Sequence, residues 1–260
     1  MFRICTIASS SKGNCSFITD GTTNILVDCG VKAPALQKFL GENNLTLQDI
    51  DAIVITHEHV DHICGLKSVT KKCSPKIYCH EFISQPINER LKLDLEFENV
   101  DMNGFMIGNI FVLPFRISHD AIFPLGYTFI EQDKRISYCT DLGVVTDEVK
   151  DNLMNSDMAI IEANHDDRML IQGNYPTMLK RRVIGEMGHL SNDQAAKLVN
   201  ELCSHKLKKV ILAHLSENNN LPELAYSTVS GYLKKNGKIE GIDYSLEVAP
   251  ASSPCEFCED

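Results

Sequence analysis

The chain has 260 residues, of which 43% are hydrophobic, and a formal net charge of −10 at pH 7. This length and apolar content suit a globular protein with a buried core, and we expect one domain over residues 1–260. The negative charge excludes a protein whose whole surface attracts polyanions, although local basic patches remain open. No apolar run reaches the roughly 18 residues that a membrane span needs, and the start lacks the pattern of a secretory signal, so we expect a cytoplasmic protein without a membrane segment.

The ten cysteines are scattered through apolar segments rather than densely spaced. That distribution predicts mostly reduced core thiols and not a secreted disulfide scaffold. A Cys255-x-x-Cys258 pair stands near the end without a partner pair or a nearby histidine, so it is a weak signal for a zinc or redox site. We expect the tail from about residue 250 to be disordered.

Apolar runs of strand length alternate with helical patterns along the chain. The segments FRICTIA, CSFIT and NILVDCG predict an opening meander with a turn at Asp20-Gly21. A helix is predicted from about Ala33 to Leu40, before the strand DAIVIT. The middle of the chain predicts strands joined by tight turns at Asn103-Gly104 and at Gln132 to Lys134.

The last hundred residues continue this alternation. The segment DMAIIEANHDD predicts a buried strand, and a helix capped by Ser191 or Asn192 follows it. The strand KKVILAHLS, a helix near Pro222 to Leu233 and the strand IDYSLEV complete the chain. Mixed strands with interspersed helices indicate a layered α/β sandwich.

The segment ITHEHVDHICGL places five ionisable residues within the six positions 57–62, directly behind a buried strand. A polar surface loop is the alternative interpretation, but these side chains would repel one another and lose hydration unless a cation neutralised them. Imidazole and carboxylate ligands suit zinc, iron and manganese, and two ligand sets in one short loop suit a pair of ions. The expected ligands are His57, His59, Asp61 and His62.

The motif His57-x-His59-x-Asp61-His62 resembles the signature of the metallo-β-lactamase superfamily. The resemblance implies a four-layered αββα sandwich with a dinuclear site at one edge of its two sheets. It also implies three later ligands, each after an apolar strand: His119, Asp141 and His214. On this resemblance His57, His59 and His119 hold one divalent ion, Asp61, His62 and His214 hold the other, and Asp141 and a hydroxide bridge them, with Zn²⁺ or Mn²⁺ as the metal.

Further motifs resemble one branch of that superfamily. The segments ASSSKGNCSF, SHDAIFPLGY, YCTDLG, IEANHD, MGHLSNDQAA and LAHLSENNNLPELA are similar to the YycJ, or WalJ, proteins over nearly the whole chain. Those proteins are described as 5′-to-3′ exonucleases acting on DNA. The resemblance therefore implies a nucleic acid substrate, most simply DNA.

Two motifs also resemble ribonuclease Z, in which a glutamate and a histidine act as a pair near the leaving group. Glu162 in IIEANHD and His189 in MGHLSN match those positions. The implied roles are proton delivery by His189, orientation of His189 by Glu162, and partial deprotonation of the attacking water by Asp61. The alternatives are a structural acid for Glu162 and a helix N-terminal histidine for His189. His165 fits either the rim of the site or a structural role.

Two segments are candidates for holding the substrate, since nucleases contact phosphates through small donors and cations. The hydroxyl-rich loop at residues 9–14 is one, and the basic run at residues 180–182 is the other. An ordinary turn and a solvated helix face are the alternative interpretations. The expected substrate contacts are Ser10, Ser11, Asn14 and Arg181.

The ligand pattern leaves two other functions open. An acyl hydrolase for thioesters or lactams has the same ligands, and its activity would not depend on His189. A non-catalytic binding protein stabilised by metal is the second alternative, although a purely structural zinc site closes its coordination sphere. The sequence makes no prediction of oligomeric state.

Overall fold

The computed structural model describes residues 2–251 and 253–258. Within them the strands form two sheets. In the first sheet, β1, β2 and β3 form the predicted antiparallel meander, and the strands from β3 to β6 run parallel to one another. In spatial order this sheet contains β14 (Cys255–Cys258), β1 (Arg3–Ser10), β2 (Gly13–Thr19), β3 (Asn24–Val27), β4 (Ala52–Val54), β5 (Lys76–Cys79) and β6 (Glu98–Asn99).

The second sheet repeats this pattern of directions. Its first four strands along the chain are antiparallel, and its last four are parallel. In spatial order it contains β13 (Ser245–Val248), β12 (Lys209–Ala213), β11 (Met158–Glu162), β10 (Lys134–Cys139), β9 (Leu125–Glu131), β8 (Ile110–Arg116) and β7 (Phe105–Ile107).

Helices cover the outer faces of both sheets. The predicted helix at Ala33 begins there, and the predicted cap of the later helix is Ser191, whose hydroxyl accepts from the amide of Gln194 at 3.4 Å. The helices are α1 (Ala33–Glu42), α2 (Val60–Ile63), α3 (Leu66–Val69), α4 (Glu81–Leu91), α5 (Asp147–Leu153), α6 (Asp167–Gln172), α7 (Thr177–Ile184), α8 (Asn192–Leu202) and α9 (Pro222–Lys235), with a short 3₁₀ helix at Leu47–Asp49.

Three clusters of buried hydrophobic residues separate the layers. One lies between the sheets and joins residues such as Ile18 of β2 with Phe129 of β9. The second packs the outer face of the first sheet against helices, including Leu36 of α1 and Ile83 of α4. The third packs α5, α8 and α9 on the outer face of the second sheet. Two sheets inside two helical layers confirm the predicted αββα sandwich.

The predicted turn at Asp20-Gly21 is present, with Gly21 at φ +94° and the Asp20 carboxylate accepting from the amides of Thr22 and Thr23 at 2.7 and 2.6 Å. The tail, expected to be disordered, contributes β14, which pairs with β1. Among the described residues, no helix has both the length and the apolar character of a membrane span.

Candidate metal centre

The loops after β4, β8, β10 and β12 meet at one edge of the sandwich. Within the first sheet β4 is parallel to β3 and β5, and within the second β10, β11 and β12 are parallel. β8 runs the same way as β10 because both are antiparallel to β9. Side chains that follow the carboxyl ends of such strands converge. His57, His59, Asp61 and His62 come from the first sheet, and His119, Asp141 and His214 come from the second.

The first group of possible ligands consists of His57, His59 and His119, whose ring nitrogens lie within 4.8 Å of one another. Nε2 of His119 is 3.3 Å from Nδ1 of His59. The Thr56 hydroxyl donates to the Asp28 carboxylate, so its oxygen accepts from Nδ1 of His57 at 3.0 Å and Nε2 of His57 keeps its lone pair. Burial and the neighbouring imidazoles lower the pKa of His57 well below its ordinary value, which favours the neutral, ligating form.

The second group consists of Asp61, His62 and His214, again with ligand atoms within 4.8 Å of one another. Oδ2 of Asp61 lies 3.5 Å from Nε2 of His62 and 3.9 Å from Nε2 of His214. In both histidines Nδ1 faces a different carboxylate, Asp28 at 2.7 Å for His62 and Glu162 at 2.8 Å for His214. The Nε2 atoms of both rings therefore point toward the centre of the group.

Asp141 lies between the two groups. Its Oδ2 is 3.3 Å from Nε2 of His62, and its Oδ1 is 3.6 Å from Nε2 of His119. The residue is buried, and its backbone adopts φ 58°, a left-handed conformation that is uncommon for residues other than glycine. Asp28 and His214 share that conformation, at φ 60° and 58°. Local backbone strain of this kind concentrates at functional sites.

The residues fit divalent metal ions. Nε2 of His57 and Nε2 of His214 are buried and make no hydrogen bond within the part of the chain that the structure describes. A buried polar atom without a partner costs free energy, and a cation bound to these lone pairs would remove that cost. Imidazole nitrogens with carboxylate oxygens suit Zn²⁺ and Mn²⁺ alike.

Glu162 and His189 form a pair beside these groups. The Glu162 carboxylate is fully buried at the end of β11 and accepts from the backbone amides of Asp141, Leu142 and Leu190 at 3.2, 3.0 and 2.9 Å. Nδ1 of His189 donates to it at 2.9 Å. Burial raises the pKa of Glu162, but the charges of His189 and His214 outweigh burial, so its pKa lies below the ordinary value.

The pKa of His189 moves the other way. Burial lowers it, whereas the carboxylates of Glu162 and Asp141 raise it more strongly, so the net shift is upward. The ring lines a cleft of about 220 Å³ that opens above both ligand groups. Other walls of this cleft are formed by Ser11, Asn164, Tyr175, Leu179, Arg182, Val183, Leu215 and Ser216.

Comparison with known proteins assigns the chain to a family. A family model described as "Beta-lactamase superfamily domain" matches residues 23–215. The exodeoxyribonuclease WalJ of Streptococcus pneumoniae is 34% identical over 250 residues, which are 94% of this chain and 93% of that protein. The chain belongs to the β-lactamase superfamily and to its WalJ family.

Another relative and a solved structure agree with this assignment. The exodeoxyribonuclease YycJ of Bacillus anthracis is 32% identical over 234 residues, or 89% of each chain. The metallo-β-lactamase fold protein YhfI of Bacillus subtilis superposes with a TM-score of 0.73 and 16% identity, over 98% of this chain and 99% of that one. At that identity the superposition shows a shared fold.

Asp28 orients a ligand in this WalJ family member, and the sequence alone did not single it out. Asp28 follows β3, is fully buried, and accepts from the amide of Thr56 at 2.8 Å as well as from His62. A carboxylate that holds the far nitrogen of a ligating histidine fixes its tautomer and orientation. The available signal was an aspartate at the end of the apolar run NILV.

The loop at residues 9–14 mostly supports ligands in this WalJ relative. The hydroxyl of Ser9 accepts from the backbone amide of His214 at 2.7 Å, and Nδ2 of Asn14 donates to Oδ2 of Asp61 at 3.0 Å. Ser10 is buried and its hydroxyl accepts from the amide of Lys12 at 3.2 Å. Ser11 is exposed and lines the cleft. Three residues of this loop were predicted to contact substrate, and of these only Ser11 lines the cleft.

The two remaining candidates from the sequence, Arg181 and His165, do not line the cleft. Arg181 is exposed but does not line the cleft, whereas its neighbour Arg182 does. The side chain of His165 is buried, does not line the cleft, and places Nε2 3.5 Å from Oδ1 of Asp167. His165 therefore lies behind the site and not on its rim.

Proposed function

We propose that this chain is a metal-dependent phosphodiesterase that degrades DNA from a 5′ end, as an exodeoxyribonuclease. The observation that carries the proposal is the Glu162–His189 pair placed beside two buried ligand groups and facing the cleft. Hydrolysis of a phosphodiester requires charge neutralisation at phosphorus and a proton for the departing alkoxide. The names of the WalJ and YycJ relatives support DNA as the polymer.

The metal centre would hold two divalent ions, Zn²⁺ or Mn²⁺. Bound there, they supply Lewis acidity that offsets the phosphate charge and lowers the pKa of a captured water. Asn14 and Asp28 keep Asp61 and His62 in place through hydrogen bonds of 3.0 and 2.7 Å. His57, His59 and His119 would hold one ion, and Asp61, His62 and His214 would hold the other. Asp141, which lies near both groups, would be a ligand shared by the two ions.

Asp61 and His189 move the protons. The carboxylate of Asp61 lines the cleft and accepts a proton from the attacking water. Nδ1 of His189 is occupied by Glu162, so the ring presents Nε2 to the cleft, where it delivers a proton to the leaving oxygen. Glu162 positions His189 because three backbone amides fix its carboxylate.

A panel of substrates tests the proposal. The metal-loaded protein would be incubated with 5′-labelled and 3′-labelled double-stranded DNA, single-stranded DNA and RNA, together with a thioester and a β-lactam. We expect shortening of DNA from its 5′ end. Cleavage of the acyl substrates without cleavage of any polymer would instead support the acyl hydrolase, and no hydrolysis at all would support the binding protein.

The proposed enzyme is a single catalytic domain over residues 1–260 and acts in the cytoplasm. The cysteine distribution supports that compartment, because isolated thiols in apolar segments suit a reducing environment. Separation of cell fractions followed by detection of the protein would test the location. Its recovery in the secreted or membrane fraction would contradict it.

A further inference from the structure

Helix α7 turns one face toward the cleft. Leu179, Arg182 and Val183 line the cleft, and their i, i+3, i+4 spacing is that of neighbours on one side of a helix. Arg181 lies about 100° around the helix from Arg182, which explains why it is exposed outside the lining. Among the cleft-lining residues that the structure describes, Arg182 is the only lysine or arginine. The cleft thus contains one permanent cation beside the ligand groups.

Asp120 holds Arg182 in a defined orientation. Nη2 of Arg182 donates to Oδ1 of Asp120 at 3.1 Å, and Nε donates to Oδ2. Asp120 itself follows the ligand His119, and its Oδ1 is 3.5 Å from Nε2 of that ring. A guanidinium has five N–H donors, so a bidentate carboxylate leaves donors for a second anion. The Arg182 side chain is 53% exposed and remains accessible from the cleft.

The surroundings of Arg182 suit a nucleotide. Leu179 and Val183 line the cleft on the same face of α7 as Arg182, and Tyr175 lines the cleft as well. The hydroxyl of Tyr175 accepts a hydrogen bond from Nδ2 of Asn218 at 3.3 Å. Apolar and aromatic surfaces pack against sugars and bases, and a cation binds the phosphate.

Because the protein is negatively charged, Arg182 would offset the repulsion of a substrate phosphate that the metal ions do not contact. The chain carries a net charge of −10, and Asp120 partly neutralises Arg182. The phosphate that is cut would be attracted by the ions, but the next phosphate along the strand lies beyond them and would be repelled without a cation. Arg182 stands where α7 forms the wall beside the ligand groups.

We infer that Arg182 binds the phosphate next to the scissile phosphodiester, with the intervening nucleotide against Leu179, Val183 and Tyr175. The inference rests on the proposed nuclease function and extends it to substrate selection. A polynucleotide has a second phosphate for Arg182, whereas an isolated phosphodiester has none. The site therefore favours polynucleotides over small phosphodiesters, and Asp120 keeps the guanidinium in place when no substrate is bound.

Two arginine variants with the same loss of charge test whether Arg182 binds this neighbouring phosphate. Arg182→Gln and Arg181→Gln would each be loaded with metal and assayed on single-stranded DNA and on bis(p-nitrophenyl) phosphate. For Arg182→Gln we expect the ratio of kcat/KM values, DNA over small diester, to fall by at least about tenfold through KM, since a charged hydrogen bond contributes that much. Arg181→Gln should keep the wild-type ratio. Arg182→Lys, which keeps the charge without the fork, should lie between them.

Binding provides a readout that does not depend on turnover. The affinity for a fluorescent phosphorothioate strand would be measured by anisotropy over a range of salt concentrations. Loss of one phosphate contact should reduce the slope of log Kd against log salt by about 0.7 for Arg182→Gln, with no change for Arg181→Gln. Metal content and melting temperature would verify that both variants are folded.

The assays distinguish an error in the proposed nuclease function from an error in the role of Arg182. If the wild-type protein cleaves no nucleic acid, the proposed function is wrong. If it cleaves DNA and Arg182→Gln keeps the wild-type ratio and salt slope, the inference about Arg182 alone is wrong. Equal effects of the two glutamine variants would show a general charge effect and would also overturn it.

Discussion

Oε1 of Glu162 lies 2.9 Å from Nδ1 of His189. The same oxygen lies 2.8 Å from Nδ1 of His214. One carboxylate atom thus orients the proposed proton donor and a proposed metal ligand. Because backbone amides of Asp141, Leu142 and Leu190 also donate to this carboxylate, its position is determined by the fold.

Glu162→Gln should impair both catalysis and metal binding. The amide keeps the size of the side chain but removes the charge and replaces one acceptor oxygen by a donor group. We expect metal affinity to fall by about 10- to 100-fold, and kcat with saturating metal to fall by at least about 100-fold. Metal titration and steady-state kinetics on DNA would measure the two effects separately. Weaker metal binding with normal kcat would mean that Glu162 only supports the ligands.

His189→Ala should lower kcat for DNA by about 10²- to 10⁴-fold, because the leaving alkoxide loses its proton donor. The loss should be less than about tenfold for bis(p-nitrophenyl) phosphate, since nitrophenolate is a stable anion and leaves without a proton. Parallel assays of both substrates provide the measurement. Equal losses on the two substrates would argue against proton delivery by His189.

Asp28→Asn should weaken metal binding by about 10- to 100-fold, because the His62 ring loses the carboxylate that fixes its Nδ1 proton. Competition with a chelating dye would measure the affinity. Asp51→Asn is the matched control, since Asp51 accepts from the amide of Asn24 and belongs to neither ligand group. Equal affinity of the two variants would exclude an orienting role for Asp28.

Metal binding should release protons at neutral pH. In the metal-free chain burial lowers the pKa of His62, but Asp28 and Asp141 raise it more, to about 9. The ring therefore carries a proton at pH 7 that a metal ion must displace, so affinity should increase as the pH rises toward 9. Calorimetry in buffers of different ionisation enthalpy would count the protons. Affinity that stays constant between pH 6 and pH 9 would contradict this coupling.

Gly65→Ala should destabilise the protein. A Cβ at Gly65 would meet the carbonyl oxygens of Val31 and Cys29 at 1.8 and 2.7 Å, and such overpacking costs about 1–3 kcal/mol of unfolding free energy. Gly41→Ala is the control, because its Cβ would meet open space on α1 and alanine there should add about 0.5–1 kcal/mol. Urea denaturation would compare them. Equal stabilities would show that the 29–31 loop can move aside.

The layered fold was predictable because apolar runs of strand length alternate with helical patterns along the chain, and capping residues mark where several helices begin. Helix α4 escaped prediction because Pro86, a residue that disfavours helix interiors, lies inside it and because its apolar face is weak. Its helical conformation depends on the packing of Ile83 and Ile87 against the first sheet. This tertiary contact is not visible in the local sequence.

The candidate site was predictable where the chain is locally dense in ligands. The structure brings the seven predicted ligands together in its overlapping groups. Asp28 was missed because its contact with His62 spans 34 positions. The choice between Arg181 and Arg182 requires the rotation of α7 about its axis, and that rotation is set by burial of Val183.

The two ligand groups each draw on both sheets: His57 and His59 face His119, and Asp61 and His62 face His214. An ion in either group would therefore act as a cross-link between the halves of the sandwich, 60 or more positions apart along the chain. Such a clamp raises the cost of separating the sheets, much as a disulfide does, but it can be removed by a chelator. Supply of metal would thus govern the mechanical integrity of the molecule together with its chemistry.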